Sequence, residues 1–190
     1  VVGLGLVGKK LQIESTGAQI DTATLLTTLT TMGATGEVDE VIKLPSKSNK
    51  LIVFTGLGKI ESNFSPELLR RAAGAASRNL LGNEGASFAL PHKSVAEIAA
   101  IAEGAALGSY SFTEFRGSTK VGQKSPLSSI TIVTRFADTA QAKSAIKRAE
   151  IIAEQTFLVR DLVNTPPSSL TPDSFCLRAK KLASKYGVKV

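Results

Sequence analysis

Residues 160–175 read R-D-L-V-N-T-P-P-S-S-L-T-P-D-S-F. A long segment with helical apolar spacing runs into this stretch, and a basic segment leaves it. Pro166 and Pro167 end the first helix, because proline lacks an N–H and drives the residue before it out of helical geometry. Thr171 and Pro172 open the next, as N-cap and first helical residue. A stop and a start this close make a joint, and the fold turns on what lies to either side.

On the N-terminal side, Asp138 is the expected cap of a helix of about 25 residues, longer than the usual globular helix. Its buried face is expected at Ala142, Ala145, Ile146, Ala149, Ile152, Ala153, Thr156, Val159 and Val163. Such a helix, ending at a double proline, suits a bridge between two domains better than a crossover within one. On the other side, Pro172 to Tyr186 reads as a helix closed by Gly187. Residues 188–190 then read as the opening of a strand, which cannot form a sheet alone. The chain therefore reads as one α/β domain and the beginning of a second.

Further upstream the pattern alternates strand and helix. Val1 to Val7 is a short apolar strand containing Gly3, Gly5 and Gly8 in G-x-G-x-x-G spacing. That spacing binds dinucleotide phosphate only when a helix opens at the third glycine. Here Lys9 to Ile13 has no helical periodicity, so a glycine-containing strand is the better reading. Asp21 caps a helix to Met32, with Leu25, Leu26, Leu29 and Met32 on one face. Val38 to Leu44 is an extended arm and residues 45–49 a turn. Leu51 to Phe54 is a buried strand leading to a glycine turn over residues 55–59, followed by a helix from Ser65 to Leu80. Loops at strand C-termini are where open α/β sheets bind ligands, so Gly56 to Lys59 is a candidate anion site. The competing reading is a tight turn that needs glycine. Ala86 to Leu90 is a further strand, and Ser94 with Glu97 forms a capping box for a helix to Leu107, with Val95, Ile98, Ala102, Ala105 and Ala106 inward. Tyr110, Phe112 and Phe115 form an aromatic knot at its end, residues 117–128 a polar loop, and Ser129 to Thr134 a strand.

Composition narrows the chemistry. The 190 residues are 43% hydrophobic and 21% charged, enough for a sizeable core. Nothing at the start resembles a secretory signal, and the first residue is Val1 rather than methionine, which leaves room for trimmed native residues. One cysteine, Cys176, and one histidine, His92, exclude a disulfide framework, a Cys zinc cluster and any His pair within the chain. His92, in a loop without an acidic neighbour in sequence, reads as a surface residue. A cytoplasmic location is the default. Of the net charge of +7, +4 falls in residues 171–190, where Arg178, Lys180, Lys181, Lys185 and Lys189 face only Asp173. This clustering weakens the case for nucleic acid along the rest of the chain.

The joint at Arg160 to Phe175 resembles that of the leucyl aminopeptidase family. Residues 51–59, 68–73 and 102–112 agree with the family in order and spacing, whereas residues 1–50 are too variable to judge. Ser168 and Ser169 depart from the family, which often carries asparagine after the prolines. The resemblance implies a macro-domain-like mixed sheet flanked by helices over residues 1–137. It further implies an interdomain helix over 138–164 and the start of a catalytic domain over 165–190. It also implies a hexameric exopeptidase with two divalent metal ions (zinc, manganese or magnesium), releasing N-terminal residues, leucine preferentially, from peptides. The family's metal-binding segments do not occur here. Acidic residues are single except Asp39 and Glu40, expected on opposite faces of a strand. No catalytic, cofactor or metal residue can be placed on any position. The expected role of the chain is assembly and control of access to an active site elsewhere. The alternative is a macro-type module for ADP-ribose, another nucleotide or DNA, using Gly56 to Lys59, Arg70, Arg71, Lys120 and Lys124. A Rossmann oxidoreductase, resting on Gly3, Gly5 and Gly8 alone, ranks last.

Overall fold

The computed structural model describes residues 1–46, 50–117 and 122–189. The reading of residues 47–49, of Lys120 and of Val190 lies outside them. Strands β1 (Val2–Val7), β2 (Lys10–Glu14), β3 (Val41–Pro45) and β4 (Leu51–Lys59) form a mixed sheet in the order β2-β1-β4-β3. β1 is parallel to β4, and the outer pairs are antiparallel. A second, parallel pair joins β5 (Gly85–Phe88) to β6 (Ser129–Ile132). Ala89 connects the two sheets: its N–H donates to Val1 O at 2.8 Å, and its carbonyl accepts from Thr16 N at 2.9 Å.

Helix α1 (Thr22–Thr31) covers one face of the larger sheet, and α2 (Pro66–Arg78) with α3 (Val95–Gly108) the other. β4 shows how one strand serves both. Val53 and Leu57 pack towards α2 and α3, whereas Phe54 packs with Leu29 of α1 and with Leu4. This is the two-residue alternation of a strand. Thr55 is fully buried, and its hydroxyl donates to Ala72 O at 2.9 Å, fastening the sheet to α2.

The helix starts follow the capping chemistry. Asp21, Ser65, Ser94 and Thr171 each accept from the backbone N–H three residues on. Pro66 and Pro172 occupy the first turns of their helices. The long helix α4 (Ala140–Asn164) has the expected 25 residues, but Thr139 caps it rather than Asp138. The hydroxyl of Thr139 reaches Ala142 N at 3.2 Å, and the β-region backbone needed at the cap falls at Thr139.

One strand went unread in the sequence, and two other expectations are corrected. Lys10–Glu14 is a strand, paired with β1 across a two-residue hairpin turn with Gly8 at φ +62. G-x-G-x-x-G therefore leads into a hairpin and opens no helix. A side chain at Gly3 would meet Leu57, and one at Gly5 would meet Gly58 O at 2.6 Å, so these glycines admit the neighbouring strand. Val159 and Val163, expected inside, are 57% and 79% exposed, whereas Ala142, Ala149 and Ala153 are buried as expected. The last turns of α4 meet the end of α3 through the face that carries Phe157, Arg160 and Asp161, and these valines lie on the other face. Val188 and Lys189 lie in no strand. Gly187, at φ +66, ends α5 (Pro172–Lys185), and Val188 N folds back to Ala183 O at 2.9 Å. This is a Schellman closure, which uses the N–H that a strand would have offered.

Candidate functional site at the helical joint

Among the described residues, no group of three or more His, Cys, Asp or Glu is arranged to hold a metal ion. The acidic pair illustrates why. Asp39 and Glu40 sit in a turn rather than on a strand, with Asp39 at φ +72. Glu40 accepts from Thr35 N and Gly36 N, and Asp39 pairs with Arg71 at 2.6 Å. Both carboxylates are engaged by the chain's own donors. Cys176 is exposed on α5. These residues do not fit a dinuclear metal centre.

His92 is buried, not on the surface. Its Nδ1 lies 2.9 Å from Leu90 O and its Nε2 2.8 Å from the Thr134 hydroxyl. A carbonyl can only accept, so in the neutral ring Nδ1 carries the proton and Nε2 accepts from Thr134. The Thr134 oxygen in turn accepts from Phe136 N at 3.1 Å. Thus His92 fastens the end of β5 to the segment after β6. Its partners are in residues 90 and 134, and sequence proximity gave no sign of the second.

The proposed phosphate turn at Gly56 to Lys59 is the second half of β4. Gly56 N donates to Glu40 O, and Gly58 N to Gly36 O, both at 2.8 Å. These amides are committed to the protein, and an anion cradle needs them free. A side chain at Gly56 would lie 1.6 Å from Glu37 O. The glycine therefore serves the close approach of the 36–40 turn. Lys124, the described member of the basic loop, lays its aliphatic stem beside Gly82.

The joint itself carries a connected set of polar contacts. Phe157, Arg160, Asp161 and Asn164 recur at three- and four-residue spacing, so α4 presents them on one face. All four meet the end of α3. Tyr110 donates to Asp161 Oδ1 at 2.8 Å and accepts from Asn164 Nδ2 at 3.0 Å. Its ring centroid lies 5.2 Å from that of Phe157. Arg160 donates to Leu107 O at 3.2 Å and stands over the Tyr110 ring, 5.2 Å from its centroid. Thr165, buried at 6% exposure, then closes α4 through hydrogen bonds to Asp161 O from its N–H at 3.0 Å and its hydroxyl at 2.6 Å. The double proline follows, and Pro166 O accepts from Ser169 N and Leu170 N to form the turn. The R-D-x-x-N spacing is thus a clamp on Tyr110. The sequence marked both segments, but not that they meet.

Loss of water around the Tyr110 hydroxyl, and then its hydrogen bond to Asp161, raise its pKa above the ordinary tyrosine value. A raised folded-state value means that the protonated hydroxyl stabilises the fold below the unfolded pKa of about 10, and that this support fades as pH rises through the folded value. Tyr110→Phe is expected to cost about 1 kcal/mol, typical of one hydrogen-bonding group. It should speed amide exchange over residues 157–165 and remove the tyrosine-linked loss of stability in alkali. Hydrogen exchange and urea titrations at neutral and alkaline pH measure both.

Beside this clamp, between α2, α3 and α4, is a cleft of about 510 Å³. Arg70, Arg71, Arg78 and Arg160 line it, with Asp39 and Tyr110. Gly74, Gly104 and Gly108 are also in its lining. These glycines let α2 and α3 touch: a Cβ on Gly104 would stand 2.1 Å from Arg70 O, and one on Gly108 2.5 Å from Gly74 O.

Residues 1–119 match the family model described as the cytosol aminopeptidase family, N-terminal domain. The chain is 40% identical over 183 residues to a probable cytosol aminopeptidase of Streptomyces griseus, covering 87% of this chain and 36% of that protein. It is 39% identical over 185 residues to that of Streptomyces coelicolor, with the same coverage. The chain thus spans about a third of the length of these curated relatives. Among solved structures, a tomato leucine aminopeptidase mutant superposes with a TM-score of 0.74 at 27% identity, over 86% of this chain and 33% of that one. A bottromycin maturation enzyme in complex with Mn gives 0.67 at 28% identity, over 90% and 35%.

Proposed function

The chain belongs to the cytosol aminopeptidase family, whose N-terminal domain it carries, and from that premise we propose that it is the non-catalytic N-terminal region of a metal-dependent leucyl aminopeptidase. The whole enzyme would remove N-terminal residues, leucine preferentially, from peptides in the cytoplasm. Its two divalent metal ions, manganese, zinc or magnesium, would be held by residues outside those described here. Residues 1–137 would form the N-terminal domain, 138–164 the interdomain helix and 165–190 the start of the catalytic domain, in a subunit that assembles as a hexamer.

The observation that carries this reading is the 40% identity to a probable cytosol aminopeptidase across 87% of the chain. The joint's own chemistry supports the domain division. α4 is clamped to α3 at Tyr110, yet Val159 and Val163 remain outside the core. α5 buries none of its residues and leaves Phe175 and Leu177 49% and 67% exposed. Apolar side chains in this position suit contact with a further domain of the same enzyme. No described helix is long and apolar enough to cross a membrane. The nucleotide-module alternative loses its main motif, because the Gly56 and Gly58 amides are already bonded.

The 190-residue chain is expected to show no turnover of leucine anilide when supplied with manganese or zinc. Turnover above that of a mock preparation would overturn the non-catalytic assignment.

A further inference from the structure

We propose that the arginine cleft between α2, α3 and α4 binds a small organic phosphate. The proposal is independent of the aminopeptidase reading. The four guanidinium groups are engaged to different degrees. Arg70 is held by Glu67 and, at 2.9 Å, by Glu103. Arg71 pairs with Asp39 at 2.6 Å, but both side chains are about half exposed, so the pair is a weak one. Arg78 has no hydrogen bond or ion pair among the described residues, although its Nη1 lies back over Gly74, 3.4 Å from where a Cβ would stand. Arg160 is held by a carbonyl and an aromatic face, and no carboxylate among the described residues pairs with it.

Two guanidiniums without a carboxylate, from different helices, thus flank a cleft lined by glycine. Guanidinium presents paired donors that match a phosphate oxygen edge, and it stays charged at every working pH. The volume of about 510 Å³ exceeds the needs of inorganic phosphate and lies within the usual range for small-molecule sites. Tyr110 and Leu107 are also in the lining, beside which the organic portion would lie. None of Gly56 to Lys59 lines this cleft, although Asp39, of the turn that packs on Gly56, does. A bound phosphate bridging Arg78 and Arg160 would also tie α4 to α2, adding to the Tyr110 clamp.

The test titrates the 190-residue chain with pyrophosphate and with adenosine diphosphate, following amide shifts by NMR. Binding is expected to perturb Gly74, Arg78, Gly108 and Tyr110. It should weaken between about 0.05 M and about 0.3 M salt, as screening shortens the reach of exposed charges. Arg78→Gln should weaken it by about tenfold, the loss of one charge-assisted contact. Lys10→Gln, on β2, should leave it unchanged. Arg78 is exposed at the end of α2, so its variant should fold, and the amide spectrum reports that directly. Absence of shifts at millimolar ligand would overturn the proposal, as would binding indifferent to Arg78→Gln. A short DNA duplex supplies the same phosphate chemistry as a polymer. Arg78-dependent binding of duplex without binding of either small phosphate would also overturn it, in favour of a nucleic-acid surface.

Discussion

Gly56→Ala is expected to destabilise the protein by about 3 kcal/mol, the upper range for forcing an extra carbon into a packed site. The added methyl would stand 1.6 Å from Glu37 O and 2.7 Å from its carbon, both backbone atoms that no rotamer change can move aside. The turn that carries Glu37 is also fixed from several directions. Glu40 accepts from Thr35 N and Gly36 N, Asp39 holds φ +72 against Arg71, and the Gly56 and Gly58 amides bond back to Glu40 O and Gly36 O. Moving the turn away breaks these bonds, and moving β4 breaks its pairing with β1 and β3. For a chain of this size, about 3 kcal/mol lowers Tm by roughly 6–12 °C. Calorimetry of the variant reads this directly. An unchanged Tm would show that the turn is free to retreat and that Gly56 is there for another reason.

Gly104→Val is expected to be as damaging, through a different interface. Gly104 faces Arg70 O, where even a Cβ would stand at 2.1 Å, so a branched side chain must part α2 from α3. That seam also brings Gly108 against Gly74. Parting it would open the core around Leu69, Ala72, Ile101 and Ala105, at a cost of about 3 kcal/mol or more. The Arg70–Glu103 pair, which spans the same helices, would be lost with it. Urea unfolding measures the loss. Gly117→Ala provides the contrast, because nothing among the described residues lies within 4 Å of the site of its added methyl.

The helices were legible because their caps are local chemistry. Asp21, Ser65, Ser94 and Thr171 each act on an N–H three residues away, a distance visible in sequence. Strand β2 was missed although Leu11 and Ile13 alternate with polar residues, since a five-residue run carries little period. Gly56 to Lys59 was read as a turn because glycine permits one. Its actual reason is the Glu37 carbonyl, which approaches from outside the segment. His92 looked exposed because its partner Thr134 is distant in sequence. The outward valines of α4 obey helical spacing, but the spacing cannot say what stands opposite them. At the joint, Arg160, Asp161 and Asn164 were recognisable as a motif. Their common target, Tyr110, required the fold.

The hydrogen bond from Ala89 to Val1 O bears on the order in which this chain can fold. β1 can pair early with β2, across a hairpin that closes a short loop. Its other edge waits for β4, and the end of the strand waits for Ala89. The first residues are therefore among the last to be secured. Closing long loops before their contacts form is slow, so an emerging chain exposes one edge of β1 until β4 has been made, and its first residue until Ala89 has. The hairpin turn at Gly8 covers the opposite edge with β2, so β1 waits with one open edge rather than two, which lessens the risk of pairing with a second chain.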